Sequence, residues 1–390
     1  MAWAYQKFGT IDDPIHKSHV QSITGDYGCL KSFRYVKELE AAGKPRENET
    51  ECNGKLCSGT ATHEAIARAL CKPAVRKKLL TGQGQVTAEH CRKVYDEEYA
   101  RAVGSREVRW YGKDDAEESA AESRALMITG ALNDMHHHVS EVVFIEAGFI
   151  VKIGDYWCSG HTDLVYRNRA GELALADWKT GATKPAPIEL DHSWESGIYS
   201  AALRDGIWIE RDWAALPGKT PNRYMREREA LERELIRVAK VFAEGNGELP
   251  VHASMPGEFP ADIRYVHLAD YPPYKRAGKK LVKRPEECAF HDVPPDTEVK
   301  FAAGDRRGPA WYRVRRSESD IPRLQHLLRN VIGTIRMGRF FESVGEKCER
   351  CQFKTDCLTA GYEVRGEDRA QLETALKGLD LKDDGLGDVA

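Results

Sequence analysis

The chain has 390 residues, of which 41% are hydrophobic and 31% charged, with a formal net charge of −3. That describes a globular protein with room for two domains. No window holds the roughly 18 consecutive apolar residues of a membrane helix, which excludes a helical spanning protein, and Met1 to Lys7 lack the basic-then-apolar layout of a secretory signal. A cytoplasmic location is expected, with no membrane partner. In that compartment clustered cysteines point to metal or cluster binding and scattered ones to core packing.

From residue 1 to about 145 the chain reads as helical. Gly59 to Leu80 has a Gly/Thr entry followed by Ala61, Ile66, Ala69 and Leu70 at helical spacing, with Pro73 set to kink or divide it. Thr87–Val103 and Ala116–His138 are further helical patterns. His136, His137 and His138 close the last one. Consecutive helical positions point about 100° apart, so the three do not share one ion and read as a solvated helix end. The period then changes. Val142, Phe144, Phe149, Val151 and Ile153 predict strands, and 157–167 and 172–179 predict two more around the turn Asn168-Arg169-Ala170-Gly171. A helix over 190–203 follows. Such a run belongs to an α/β or α+β domain with a mixed sheet.

Residues 205–318 are the least legible. They contain a charged helix pattern over 222–243 and then a stretch rich in Pro, aromatic and basic residues. A helix is predicted over 321–337, followed by a cysteine cluster. From Gly366 to Ala390 seven Asp/Glu face three Lys/Arg, with few large apolar groups, the composition of a flexible acidic tail.

The most informative segment is Gly160-His161-Thr162-Asp163, followed by Asp177-Trp178-Lys179. On one strand, Asp177 and Lys179 share a face and Trp178 points to the other. Asp163, on the neighbouring hairpin strand, can meet them across the pair. Two carboxylates beside an ammonium suit Mg²⁺ or Mn²⁺ and the hydrolysis of a phosphodiester. An isolated Asp-x-Lys is more often a surface ion pair. Glu141, with Glu146 as its rival, is a further acidic candidate.

Four motifs shift that balance. In order they are Gly59-Thr60-x-x-His63, Gly160-x-x-Asp163, Asp177-x-Lys179 and Glu195-x-x-x-Tyr199. Together they resemble the PD-(D/E)XK nuclease superfamily in its RecB-like exonuclease branch, which includes AddB-type and CRISPR-associated nucleases with an iron–sulfur cluster. The third motif has Asp for the commoner Glu. The fourth has Glu195 where the family has glutamine, which adds negative charge beside DNA. The resemblance implies a restriction-endonuclease-like mixed sheet flanked by helices. It also implies that His63, Asp163, Asp177 and the Trp178 carbonyl bind metal, that Lys179 is the catalytic lysine, and that Tyr199 and Glu195 position substrate. The motifs cover about residues 20–205 and 340–360.

Cys348-x2-Cys351-x5-Cys357 places three cysteines within ten residues, one ligand short of a structural zinc or a 4Fe-4S cluster. Spacing alone leaves seven other cysteines for the fourth position, Cys52 and Cys57 among them. Cys71, Cys91, Cys158 and Cys288 read as single buried thiols. The resemblance selects Cys29, in Cys29-Leu30-Lys31-Ser32-Phe33, and so implies a 4Fe-4S cluster stapling the two ends of the nuclease fold. Zinc on the same four residues is the alternative.

Arg264 to Arg316 holds 13 Lys/Arg against 7 Asp/Glu, interleaved with Tyr265, Tyr271, Tyr274, Trp311 and Tyr312. Lys275, Arg276, Lys279, Lys280, Lys283 and Arg284 form its densest part, a candidate nucleic-acid-binding surface. A solvated loop with its own small core is the plainer alternative. The expected organisation is a helical region at 1–145 carrying Cys29 and His63, a nuclease core at 146–205 and a basic/aromatic insertion at 206–318. A helix with the cysteine cluster at 319–362 and an acidic tail at 363–390 complete it. The expected function is a metal-dependent DNA nuclease, an exonuclease acting on single strands or ends. The resemblance alone implies a helicase or other nuclease-complex partner. A non-catalytic nucleic-acid-binding scaffold of the same fold is the alternative, and no Gly-x-Gly-x-x-Gly fingerprint supports a redox enzyme.

Overall fold

A computed structural model describes residues 5–17, 19, 29, 33–34, 37, 51–110, 116–181, 193–211, 223–245, 248–271, 274–277, 280–283, 299–301, 311–314 and 316–337. The chain divides into two compact units, Met1–Gln21 with Glu47–Gly338, and Ser22–Arg46 with Arg339–Ala390.

Among its described residues the first unit has the helices α1 (Gly54–Leu70), α2 (Pro73–Thr81), α3 (Ala88–Val103), α4 (Ala116–His138), α5 (Trp194–Asp205), α6 (Arg223–Ala243) and α7 (Asp320–Arg336). Local chemistry sets their ends. Asn53 caps α1 by accepting from the Lys55 and Leu56 amides at 2.9 and 3.4 Å, and Thr87 caps α3 through the His90 amide. Pro73 divides the first helical pattern by opening α2 at its first turn, where its missing N–H costs nothing. The last turn of α4 is less solvated than expected: the His138 ring stacks on Trp311 at 4.3 Å, and its Nε2 meets Asp134 at 3.2 Å.

The central sheet is mixed, as expected for the α/β class. It runs β13 (Trp311–Val314), β9 (Asp262–His267), β6 (Leu173–Lys179), β5 (Tyr156–Asn168), β4 (Val139–Ile153), β7 (Ile207–Ile209) and β8 (Ala253–Ser254), and β1 (Ile15–His16) pairs with β5 off this path. β4–β5 and β5–β6 are antiparallel hairpins, whereas β6–β9 is parallel. The β5–β6 turn closes as its residues predict. The Asn168 side chain accepts from the Ala170 and Glu172 amides at 2.9 and 3.0 Å, and Gly171 takes φ +81°. Four strands of this sheet, β7, β8, β9 and β13, come from the stretch that the sequence left unread. Outside this sheet, β2 (Glu51–Asn53) pairs with β3 (Glu107–Arg109). The segments β10 (Tyr274–Ala277), β11 (Lys280–Lys283) and β12 (Val299–Phe301) form a small sheet of their own.

Among the described residues, two apolar clusters show how the layers are held. One joins α1, α3 and α4 to the sheet through Ile66, Tyr95, Leu132, Tyr166 and Trp178. In the other, Leu235, Val238 and Ala239 of α6 pack on Ile150, Ile207 and Ile209. Gly148 permits that approach, since a Cβ there would lie 2.8 Å from Leu235.

One irregularity of the sheet matters most for function. β6 pairs with β5 only over 164–167, and β1 pairs with Cys158 and Ser159 on the same edge. Residues 160–163 lie between the two ladders. Beyond Ala176, β6 continues alongside β9 as far as the Lys179–His267 pair. The sheet therefore opens at the residues of the Gly-x-x-Asp motif.

Candidate active site

The opening gathers side chains from six elements, α1, β4, β5, β6, α5 and β9, with Lys17 just after β1. His63, in the middle of α1, places Nδ1 3.1 Å from Asp163 Oδ1 on β5. Asp163 Oδ2 accepts the Trp178 backbone amide at 2.5 Å, which ties the carboxylate to β6 across the split. Glu146 of β4 stands opposite Asp163 in register, between the Ile145–Leu164 and Ala147–Thr162 pairs. It is the one non-glycine with positive φ among the described residues, at +48°. This left-handed conformation in mid-strand is costly for a side chain with a Cβ and marks a position held by its surroundings.

His63, Glu146 and Asp163 each offer a ligand atom within 4.8 Å of the others. Glu146 Oε1 is buried without a hydrogen-bond partner. A nitrogen and two carboxylates converging on one point, with a buried acceptor unused, fit a divalent cation such as Mg²⁺ or Mn²⁺. Of the two acidic candidates on β4, Glu146 is at this point. Glu141 is exposed and pairs across the strands with Arg167.

Beside the trio lies a second group. Asp177 follows Ala176 on β6, and so faces Asp163 one step beyond the Leu164–Ala176 pair. Its Oδ2 contacts the Lys179 ammonium, and its Oδ1 accepts from the Tyr199 hydroxyl at 3.1 Å. Trp178 points the other way and packs edge-on against Trp311, as strand alternation requires. Glu195 opens α5, with Lys179 3.5 Å from its Oε2 and the Tyr265 hydroxyl of β9 at 3.3 Å. Tyr199, one turn later, also reaches Glu195 Oε1 at 3.3 Å. Lys17, directly after β1, completes the group at 2.9 Å from Glu195 Oε1.

Electrostatics follow from this crowding. Burial raises the Glu146 carboxyl, and the charges of Asp163 and Glu64 push it further, to about 8. Partial burial pushes Asp163 up too, yet the charge and hydrogen bond of His63 keep it below the ordinary aspartate value. Burial lowers the Lys179 ammonium, but Asp177 and Glu195 outweigh it and hold its pKa well above the usual lysine value. Lys179 is thus a fixed cation at neutral pH, suited to stabilising negative charge rather than to taking up a proton. Despite burial, Lys17 and Lys179 hold Glu195 well below the carboxylate range. Burial, with Asp177 and Glu195, pushes the Tyr199 hydroxyl well up, so it stays neutral and donates.

The glycine of the first motif has a steric role. A Cβ on Gly59 would stand 3.3 Å from Thr180 Oγ1, so its absence lets α1 approach the end of β6. Arg124 of α4 holds the same end by donating to the Thr180 carbonyl at 2.7 Å and to Ser58 Oγ at 3.1 Å.

Of the seven residues carried over from the four motifs, His63, Asp163, Asp177, Lys179, Glu195 and Tyr199 therefore converge by their side chains, and Trp178 reaches the site through its backbone amide. Lys17 and Tyr265 join them without having been singled out for the site. Neither carries a local signal, since each reaches it only through strand pairing with a distant segment. Of the cysteines assigned to a cluster, Cys29 is half-buried, and Cys348, Cys351 and Cys357 lie outside the described residues. The same holds for Lys279 and Arg284, whereas Lys275, Arg276, Lys280 and Lys283 are described by their strands alone.

The split mixed sheet, with paired carboxylates and a lysine at its opening, defines the class of protein. The chain belongs to the PD-(D/E)XK nuclease superfamily, whose family model matches residues 27–358. No curated protein matches the sequence. Among the described residues no helix is long and apolar enough to cross a membrane.

Proposed function

We propose that the protein is a metal-dependent DNA nuclease that hydrolyses phosphodiester bonds, acting on single strands or ends, with a 4Fe-4S cluster as structural support. The observation that carries this is the convergence of His63, Glu146 and Asp163 within 4.8 Å beside the Asp177–Lys179 pair. His63, Glu146 and Asp163 would hold Mg²⁺ or Mn²⁺, with Asp177 and the Trp178 carbonyl as the further ligands that the motifs imply. Such an ion, when bound, supplies Lewis-acid polarisation and charge neutralisation at a phosphodiester.

The chain's own groups account for the rest. Hydrolysis forms a bond from water oxygen to phosphorus and breaks the bond from phosphorus to the leaving oxygen of the sugar. Negative charge builds on the non-bridging oxygens, where the Lys179 ammonium is already positioned by Asp177 and Glu195. Tyr199 donates to Asp177 and fixes its orientation. The basic stretch from Arg264 to Arg316 supplies positive charge for the DNA backbone.

The iron–sulfur reading draws support from the division of the chain. Ser22–Arg46, which contains Cys29, and Arg339–Ala390, which contains the other three cysteines, belong to one unit. The family match also begins two residues before Cys29 and ends one residue after Cys357.

The test is cleavage of end-labelled single- and double-stranded DNA with Mg²⁺, Mn²⁺ or EDTA, by wild-type protein and by Asp177→Ala and Lys179→Ala variants of verified fold. Metal-dependent cleavage by wild type, reduced at least about 100-fold in both variants, is expected. DNA binding without cleavage by any metal-loaded wild-type sample would point to a scaffold instead.

A further inference from the structure

The family's glutamine is a glutamate here, a charge that the four motifs leave without a counterpart. The structure assigns it one: we infer that Lys17 is a positioning residue of the nuclease site, which carries the charge of Glu195 and so keeps Lys179 available to the substrate. This rests on the nuclease reading above.

Two ammoniums and two carboxylates alternate around a closed ring. Lys17 lies 2.9 Å from Glu195 Oε1, and Lys179 lies 3.5 Å from Glu195 Oε2. Lys179 also contacts Asp177 Oδ2, and Lys17 closes the ring at 3.8 Å from Asp177 Oδ1. The Tyr199 hydroxyl touches Lys17, Asp177 and Glu195 together, and the Lys17 ammonium stands 4.6 Å from the centre of the Tyr199 ring. With both lysines present the four charges cancel. Without Lys17, two largely buried carboxylates compete for one ammonium, and Glu195 draws Lys179 away from Asp177 and from any phosphate. With glutamine at 195, the second cation has no charge to balance.

The fold makes specific room for this lysine. β1 lies parallel to β5, with His16 beside Ser159, so Lys17 comes next to Gly160. A Cβ on Gly160 would stand 3.1 Å from Lys17 Cδ and 2.7 Å from the Phe149 ring. The glycine of the Gly-x-x-Asp motif therefore leaves space for the lysine stem. In this ring the Lys17 side chain is only 16% exposed and Lys179 37%. Lys179 is the one open to substrate, and Lys17 is the one behind it.

The experiment compares wild type, K17M, K17R, E195Q and K17M/E195Q for Mg²⁺- or Mn²⁺-dependent cleavage, with thermal melting of each protein alone. K17M should lose about 100-fold in kcat with little change in KM, the scale on which misplacing a catalytic group acts. The double variant should recover to the rate of E195Q, because neutral glutamine needs no counter-cation. K17R, which keeps the charge, should lose less than K17M. If K17M fails to fold, recovery of folding and of the E195Q rate in the double variant supports the same conclusion. The inference is overturned if K17M cleaves like wild type, if folded K17R is as slow as K17M, or if the double variant remains as impaired as K17M or worse. Wild-type protein that cleaves under no condition sinks the nuclease reading, and this inference with it. Active wild type with equally active K17M sinks this inference alone.

Discussion

Among single residues Glu146 shows most plainly how function works against stability in this site. Its backbone sits at φ +48°, its Oε1 is buried unpaired, and burial beside Asp163 and Glu64 lifts its carboxyl to about 8. A carboxyl whose folded pKa is raised loses stability as pH climbs from its unfolded value near 4.5 toward the folded one. At neutral pH the metal-free protein therefore bears a cost that glutamine would not impose. Glu146→Gln should raise the stability of the metal-free protein at pH 7 by on the order of 2 kcal/mol. It should also weaken Mn²⁺ binding by at least about tenfold, since a carboxylate ligand is gone. Urea denaturation in EDTA and calorimetric titration with Mn²⁺ measure the two halves. A destabilised variant with unchanged Mn²⁺ affinity would show that Glu146 is a structural residue. Nothing in the sequence separates Glu146 from Glu141, because the distinction lies in a backbone twist opposite Asp163.

For whole elements, legibility followed the distance between partners. The break at Pro73, the span of α4 and the Asn168 turn are local, and each can be read from a few neighbouring residues. β9 cannot. Five of its six residues are buried, Asp262 and His267 included, so it lacks the alternation of a half-buried strand. Its partner β6 is more than eighty residues away. β13 has only four residues. Their docking on α4 yields a test. Asp134 accepts from the Tyr271 hydroxyl at 2.8 Å and meets His138, whose ring stacks on Trp311. Burial raises the Asp134 carboxyl, but the hydrogen bonds and charge of His138 and the Tyr271 hydroxyl outweigh it and hold it below its ordinary 3.8. A depressed carboxyl stabilises above its unfolded pKa, and that contribution is lost as pH falls through the folded value. Asp134→Asn should therefore cost about 1–2 kcal/mol at pH 7, and the difference from wild type should shrink in urea titrations below about pH 3. A gap independent of pH would mean that Asp134 acts through shape alone.

At the scale of the molecule, the four motifs meet at the opening of the sheet while the cysteines speak to how the chain is tied. Cys29 and the three C-terminal cysteines fall in one unit, yet they stand at opposite ends of the family match. A cluster joining them closes a loop of roughly 320 residues, which in the chain-entropy model restricts the unfolded state by on the order of 5 kcal/mol. Protein purified without oxygen should then hold about four iron and four sulfide per chain and be brown. Cys29→Ser and Cys348→Ser should each lose the iron and colour, and each should unfold at lower urea than wild type. The fall should greatly exceed that of Cys158→Ser, a fully buried thiol in the sheet that no cluster uses. Iron retained in full by Cys29→Ser would move the fourth ligand elsewhere, with Cys52 and Cys57 the first to test. Zinc in place of iron, lost on the same substitutions, would keep the staple and change only the metal. Were these four cysteines the ligands, metal binding would require the two segments of that unit to come together, and metal content would report on its folding as directly as melting does.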